Sequence, residues 1–231
     1  MGEFTGRVVL ITGASGGLGA AVTRAFSEAG ARIAAVSRSA PPPAAAEAGL
    51  LEISADLTQP EEAARTAAAV RARFGRLDVL LHLMGGFDGG TPVGQTADRV
   101  WNRMLDLNLN SAFYMARAVL PAMLEAGNGR IVAIGSRTAV EPTATLSAYG
   151  ASKAALVSLI RTIALEIKRS GVTANVVLPS VIDTPANRAA EPGGDFSRWV
   201  KPASIARLLL WLASDDAADV NGAVIPIYGR A

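Results

Sequence analysis

Residues Arg7–Gly19 read RVVLITGASGGLG. The first five form a short β-rich run without helical periodicity, which predicts a buried strand over Arg7–Ile11. Thr12–Gly19 carries four glycines, a helical pattern follows from Ala20 to Glu28, and Gly30 stands where it can close that helix. Ile33–Val36 is a second β run. Strand, glycine-rich turn, helix and strand make the first half of a nucleotide-binding α/β unit. Glycine lets the backbone bend sharply and approach a pyrophosphate, while the following helix offers unpaired N–H groups and its positive dipole end to the anion. Gly13, Ser15, Gly17, Leu18 and Gly19 are the candidate cofactor-side residues of this turn.

The alternation continues outward. Pro41–Pro43 and Ala44–Gly49 read as a surface loop with one short helical turn. Leu51–Ser54 is a third strand, with Asp56-Leu57 at its carboxyl end, where ligand-facing residues gather. Thr58–Phe74 predicts a helix capped by Thr58, with Pro60 at N1 and Glu61 and Glu62 in the first turn. Leu77–Leu83 is a fourth strand, and His82 on it is expected to be a satisfied core histidine. Ala97–Arg117 predicts one long helix that turns Trp101, Leu105, Leu109, Tyr114 and Met115 inward. Asn108 interrupts it with an amide that needs partners. Ile131–Ile134 is the fifth strand and ends at Gly135-Ser136. An amphipathic helix runs through Leu156, Ile160, Ile163 and Ile167; Thr173–Leu178 is a sixth strand stopped by Pro179. Ser204–Ser214 is a helix and Ala223–Ile227 a last strand. The fold class expected is α/β: a single-domain, Rossmann-type doubly wound parallel sheet over residues 1–231, with helices on both faces.

Composition narrows the chemistry. The 231 residues include no cysteine and one histidine, which excludes disulfides, thiol nucleophiles and multi-histidine metal centres; no metal is expected. The polar Met1–Arg7 lacks a signal-peptide core, and no apolar run reaches the ~20 residues of a membrane span, since Arg161 and Arg207 break the best candidates. A formal charge of +2 with scattered arginines gives no nucleic-acid footprint. A cytoplasmic protein with a small-molecule partner is the expectation.

A dinucleotide site usually places an acid about 20 residues beyond the glycine turn to hold the ribose 2′-hydroxyl. Here the second strand ends Val36-Ser-Arg-Ser39, with no acid. Arg38 is the candidate partner of a 2′-phosphate, with Ser37 and Ser39 as donors. NADP(H) is therefore the expected cofactor, with NAD(H) possible.

Ser147–Lys153 reads SAYGASK. On a helix Tyr149 and Lys153 share a face, about 6 Å apart at Cβ. A free phenol has a pKa of about 10, and a cation beside it is expected to pull that value toward neutrality. A Tyr-x-x-x-Lys pair thus makes a general acid/base without histidine or metal. The chain has only three lysines, Lys153, Lys168 and Lys201, so this one is not surface filler.

Taken together, TGASGGLG at Thr12–Gly19, Asp56-Leu57, Asn108 in DLNLN, Ser136, YGASK at Tyr149–Lys153 and PSVIDT at Pro179–Thr184 occur in an order and spacing that resembles the short-chain dehydrogenase/reductase family over essentially the full length. The resemblance implies that Tyr149 is the general acid/base, that Ser136 orients the substrate oxygen, and that Lys153 lowers the tyrosine pKa and binds nicotinamide ribose. It implies that Asn108 holds a water in a proton relay. It places Asp56 and Leu57 at adenine, Gly85 on its ribose side, and Pro179, Ile182 and Thr184 at the nicotinamide end. Two motifs depart from the family: Asn-Asn-Ala-Gly becomes His82-Leu83-Met84-Gly85, which touches sheet bracing more than catalysis, and Pro-Gly becomes Pro179-Ser180. The substrate lid falls at Pro185–Phe196, short and rich in Pro and Gly, and reads as mobile and open. The implied activity is interconversion of a carbonyl and a secondary alcohol. A 3-oxoacyl-thioester reductase and a catalytically silent nucleotide-binding regulator stay open beside it. Helices around Asn108–Leu120 and Ser152–Arg169 would pair across subunits to give a homodimer or homotetramer.

Overall fold

In the run VVLIT, Val8 and Leu10 enter one hydrophobic cluster while Val9 and Ile11 enter another. Alternating side chains point to opposite faces of a strand, so a strand buried at every position must be covered on both sides. The computed structural model, which describes residues 2–38 and 49–230, supplies that cover. Ser39 and the loop expected at Pro41–Gly49, apart from Gly49, lie outside the described residues.

The elements follow in chain order as β1 (Val8–Thr12), α1 (Gly17–Glu28), β2 (Arg32–Ser37), β3 (Leu50–Ser54), α2 (Pro60–Phe74), β4 (Val79–His82), α3 (Asp98–Leu105) and α4 (Ser111–Ala126). The second half is β5 (Gly129–Ile134), α5 (Ser147–Ile167), β6 (Val172–Pro179), α6 (Pro185–Ala190), α7 (Pro202–Ala213) and β7 (Val224–Ile227). All seven strands are parallel, in the order β3-β2-β1-β4-β5-β6-β7. One face is packed by α1 and α7 through Val22, Phe26, Ile205, Leu209 and Leu212. The other is packed by α2, α4 and α5 through Val70, Met115, Val119, Leu156 and Ile160. The winding reverses between β1 and β4, and there the carboxyl ends of the strands leave a crevice for a ligand.

Three local expectations are corrected. First, α1 begins at Gly17, three residues before Ala20, so the last glycines of the turn are already helical. Second, Thr58 does not cap α2: Gln59 occupies that position, and the Thr58 hydroxyl donates instead to Asp56 Oδ1 at 2.7 Å. Third, Ala97–Arg117 is not one helix. A π-helical turn, Asp106–Asn110, separates α3 from α4, and the Ser111 N–H reaches back five residues to the Asp106 carbonyl. Trp101, expected inward, is 42% exposed, while Met104 on the same helix is fully buried.

Candidate active site

The glycine turn leaves no room for side chains at three of its positions. Gly13 sits at φ +67, and a Cβ there would come 2.9 Å from the Met84 backbone N. A Cβ on Gly19 would approach the Gly13 carbonyl to 2.2 Å, and one on Gly17 would meet Thr184 Cβ at 2.9 Å. The turn is therefore pressed against the end of β4, the body of α1 and the start of the lid, with its backbone exposed at Ser15 and Gly17. That is the cradle a pyrophosphate needs, at the end of a helix whose first N–H groups have no partner within the helix. The residues fit the cofactor.

At the end of β2, Ser37 is half-buried and Arg38 exposed. The Arg38 carbonyl is held by the Ser54 hydroxyl at 2.9 Å, and its guanidinium has no ion pair among the described residues. Asp56 is exposed and accepts from the Thr58 N–H and hydroxyl. Leu57, expected at adenine, buries its side chain in the core at 1% exposure, so no more than its backbone can face a ligand. A groove of about 620 Å³ runs from Ser15 and Ser37 along α1 past Thr23 and Arg24; neither Ser136 nor Tyr149 lines it.

The residues expected to react come from the loop after β5 and from α5. Ser136 ends β5, where its Oγ accepts from the Thr138 N–H at 3.2 Å. It also bonds Tyr149. Tyr149 and Lys153 lie one turn apart on α5. The Lys153 Nζ, 5% exposed, donates to the Ile134 carbonyl at 2.9 Å and stands against Gly85, where a Cβ would come within 3.2 Å of it. Asn108, fully buried in the π-turn, forms an amide pair with the Gly86 peptide: Oδ1 accepts from Gly86 N–H at 2.9 Å and Nδ2 donates to Gly86 O at 3.1 Å. Nδ2 also donates to Ser152 Oγ at 3.0 Å.

The expected lowering of the tyrosine pKa is not found in this arrangement. Burial pushes the Tyr149 phenol above its ordinary value, and the hydrogen bond from Ser136 offsets only part of that. The same burial brings the Lys153 ammonium down to about 8. Desolvation penalises whichever form is charged, so it moves an acid up and a base down together.

His82 is a core histidine with satisfied neighbours, as expected, and it braces the sheet. Thr12 Oγ1 accepts from Met84 N–H and lies 3.2 Å from His82 Nδ1, to which it donates once Nε2 is fixed as the donor on the other side of the ring. His82 Nε2 donates to Ser111 Oγ at 3.2 Å, and Ser111 donates to the Leu107 carbonyl. The network assigns the neutral Nε2–H tautomer. Burial, then the Lys153 charge, hold its pKa down to about 3.

The lid segment is more ordered in its bonding than its Pro and Gly content predicts. Thr184 caps α6 by accepting from Asn187 N–H, Ile182 bridges Val200, and Asp183 grips both Arg188 and Lys201. Pro179 is buried at the end of β6, beside Ile182 and Thr184 at the lid's base. Two residues were not foreseen: Asp183, and Phe87, whose ring meets Tyr149 edge-on with centroids 5.0 Å apart. A large aromatic directly after Gly85-Gly86 was the available signal for the second. Among the described residues no helix is long and apolar enough to cross a membrane, and no cluster of three or more His, Asp or Glu could hold a metal.

Comparison with known proteins gives a consistent answer. A family model described as short chain dehydrogenase matches residues 7–194. The D-threitol dehydrogenase of Mycolicibacterium smegmatis is 35% identical over 98% of this chain and 93% of its own. The 3-oxoacyl-(acyl-carrier-protein) reductase FabG of Escherichia coli is 30% identical over 98% of both. A short-chain type dehydrogenase/reductase from Mycobacterium ulcerans superposes with a TM-score of 0.91 at 29% identity, covering 99% of this chain and 90% of that one.

Proposed function

The chain belongs to the short-chain dehydrogenase family, and from that membership we propose that it is an NADP(H)-dependent oxidoreductase interconverting a carbonyl and a secondary alcohol. One arrangement carries the reading: Ser136 acts on Tyr149, the buried Lys153 stands against Gly85, and the glycine turn leaves no room for side chains at Gly13, Gly17 and Gly19.

In the reducing direction, the Ser136 hydroxyl and the Tyr149 phenol both donate to the carbonyl oxygen and fix its position. When bound, the nicotinamide supplies hydride to the carbonyl carbon. As the C=O bond becomes C–O⁻, Tyr149 gives its proton to that oxygen, so one hydride and one proton account for the alcohol formed. A phenol kept protonated by burial is in the form this direction needs. Lys153, cationic below about pH 8, stabilises the phenolate as it appears. Asn108 acts by holding the Gly86 peptide in place, and a proton-relay water at this residue belongs to the same proposal. Cofactor preference rests on Ser37 and on Arg38, exposed where an acid would otherwise bind the ribose. Residues 1–231 act as one cofactor-binding domain with Pro185–Phe196 as its lid. The exposed Phe113, Leu124 and Leu165 on α4 and α5 support pairing of these helices in a homodimer or homotetramer, in the cytoplasm.

The test is to follow oxidation of NADPH and of NADH with a panel of ketones, aldehydes and 3-oxoacyl thioesters. Turnover with NADPH favoured at least tenfold, and that preference reduced to about threefold or less in Arg38→Ala, is the expected result. A rate confined to 3-oxoacyl thioesters would favour the second reading, which the FabG likeness supports. Tight cofactor binding without turnover of any carbonyl would leave the silent regulator.

A further inference from the structure

Phe87 is 64% exposed, yet its position is tightly determined. On one side, Asn108 clamps the Gly86 peptide through two hydrogen bonds. On the other, the Gly90 N–H donates to the Thr145 carbonyl at 3.0 Å. Thr145 is held at φ 65, a left-handed conformation that a β-branched residue rarely adopts. The loop packs closely between these anchors: a Cβ would come 2.6 Å from Leu107 Cδ1 at Gly86 and 2.2 Å from Leu146 Cδ2 at Gly89. The loop is thus seated against both the π-turn and the approach to α5, and it sets the Phe87 ring at 70° to that of Tyr149.

A large apolar ring left mostly open beside a reacting hydroxyl contributes little to the core. Its burial is completed by whatever lies over Tyr149. The ring offers no hydrogen bond, so a substrate hydroxyl pressed on it loses water without replacement. An aryl or alicyclic carbon there gains apolar burial and an edge or face contact. Val140 and Val181, both exposed on the loops leaving β5 and β6, add apolar surface at the same end of the sheet. The neighbouring Asp88 carries charge, but it is paired with Arg103 at 3.6 Å. We propose that Phe87 is a specificity-determining residue that selects carbonyl substrates bearing an aryl or alicyclic group over those with a hydroxylated chain. This inference rests on the carbonyl-reducing assignment above.

The test compares kcat/KM for acetophenone, cyclohexanone and dihydroxyacetone, with NADPH saturating, in the wild type, Phe87→Ala and Phe87→Leu. The wild type should favour the two apolar ketones. Phe87→Ala should lower their kcat/KM roughly 10- to 100-fold while changing dihydroxyacetone by less than about threefold. Phe87→Leu should recover cyclohexanone better than acetophenone. An equal effect on all three substrates, or a wild type that prefers dihydroxyacetone, overturns the proposal while leaving the oxidoreductase assignment standing. A wild type that binds NADPH but reduces nothing overturns the assignment itself, and this proposal with it.

Discussion

Tyr149 and Lys153 were legible as a pair from their spacing alone, but the sign of the tyrosine's shift was not. Sequence places a cation one turn away; only the folded chain reveals that this cation is turned to the Ile134 carbonyl and that burial raises the phenol's pKa. His82 is a second case. Its sequence position marks a core residue, whereas its role as the link from Thr12 through Ser111 to the π-turn depends on three elements meeting. The link has a consequence for stability. In the unfolded chain His82 takes up a proton near pH 6.5, in the folded one near 3, so between these values the unfolded state binds more protons. Stability is therefore lost as pH falls from about 6.5 toward about 3, at up to about 1.4 kcal/mol per pH unit from this group. Urea unfolding of wild type and His82→Asn should diverge in slope between about pH 6.5 and 4.5, above the range where carboxylates titrate, with the variant flatter. Parallel pH profiles would refute the bracing account.

At the scale of elements, helices and strands were readable wherever burial is periodic, and misread where a tertiary contact decides. Asn108 interrupts the Ala97–Arg117 pattern, but nothing local says that the interruption is a π-turn; the amide's partner, the Gly86 backbone, comes from a loop distant in sequence. The segment expected as a lid, Pro185–Phe196, holds contacts that sequence does not announce. Its glycines and prolines indicate looseness, but Asp183 ties it down, with Arg188 Nε at 2.5 Å and Lys201 Nζ at 2.6 Å from its carboxylate. Those two cations hold the Asp183 carboxyl well below the usual carboxylate range, so this contact persists until the pH drops far into acid. Asp183→Asn should weaken NADPH binding roughly three- to tenfold, with the wild-type affinity falling more steeply with salt than that of the variant. Unchanged affinity and salt dependence would mean that the clamp does not govern lid closure over the cofactor.

At the scale of the molecule, the parallel sheet was legible because the strands at its centre are buried on both faces and read as largely apolar runs. The strand order, with its reversal between β1 and β4, is seen only in the folded chain. So is the wall above Tyr149, because Phe87 reaches the phenol only through the pairing of two loops that are distant in sequence. In the proposed function a proton-donating phenol stands at a substrate oxygen inside a dinucleotide crevice. The most direct test is Tyr149→Phe, assayed for NADPH binding by fluorescence and for reduction of the best wild-type ketone. Retained cofactor affinity with kcat reduced by at least about a hundredfold is the predicted outcome; a near-normal kcat would contradict it.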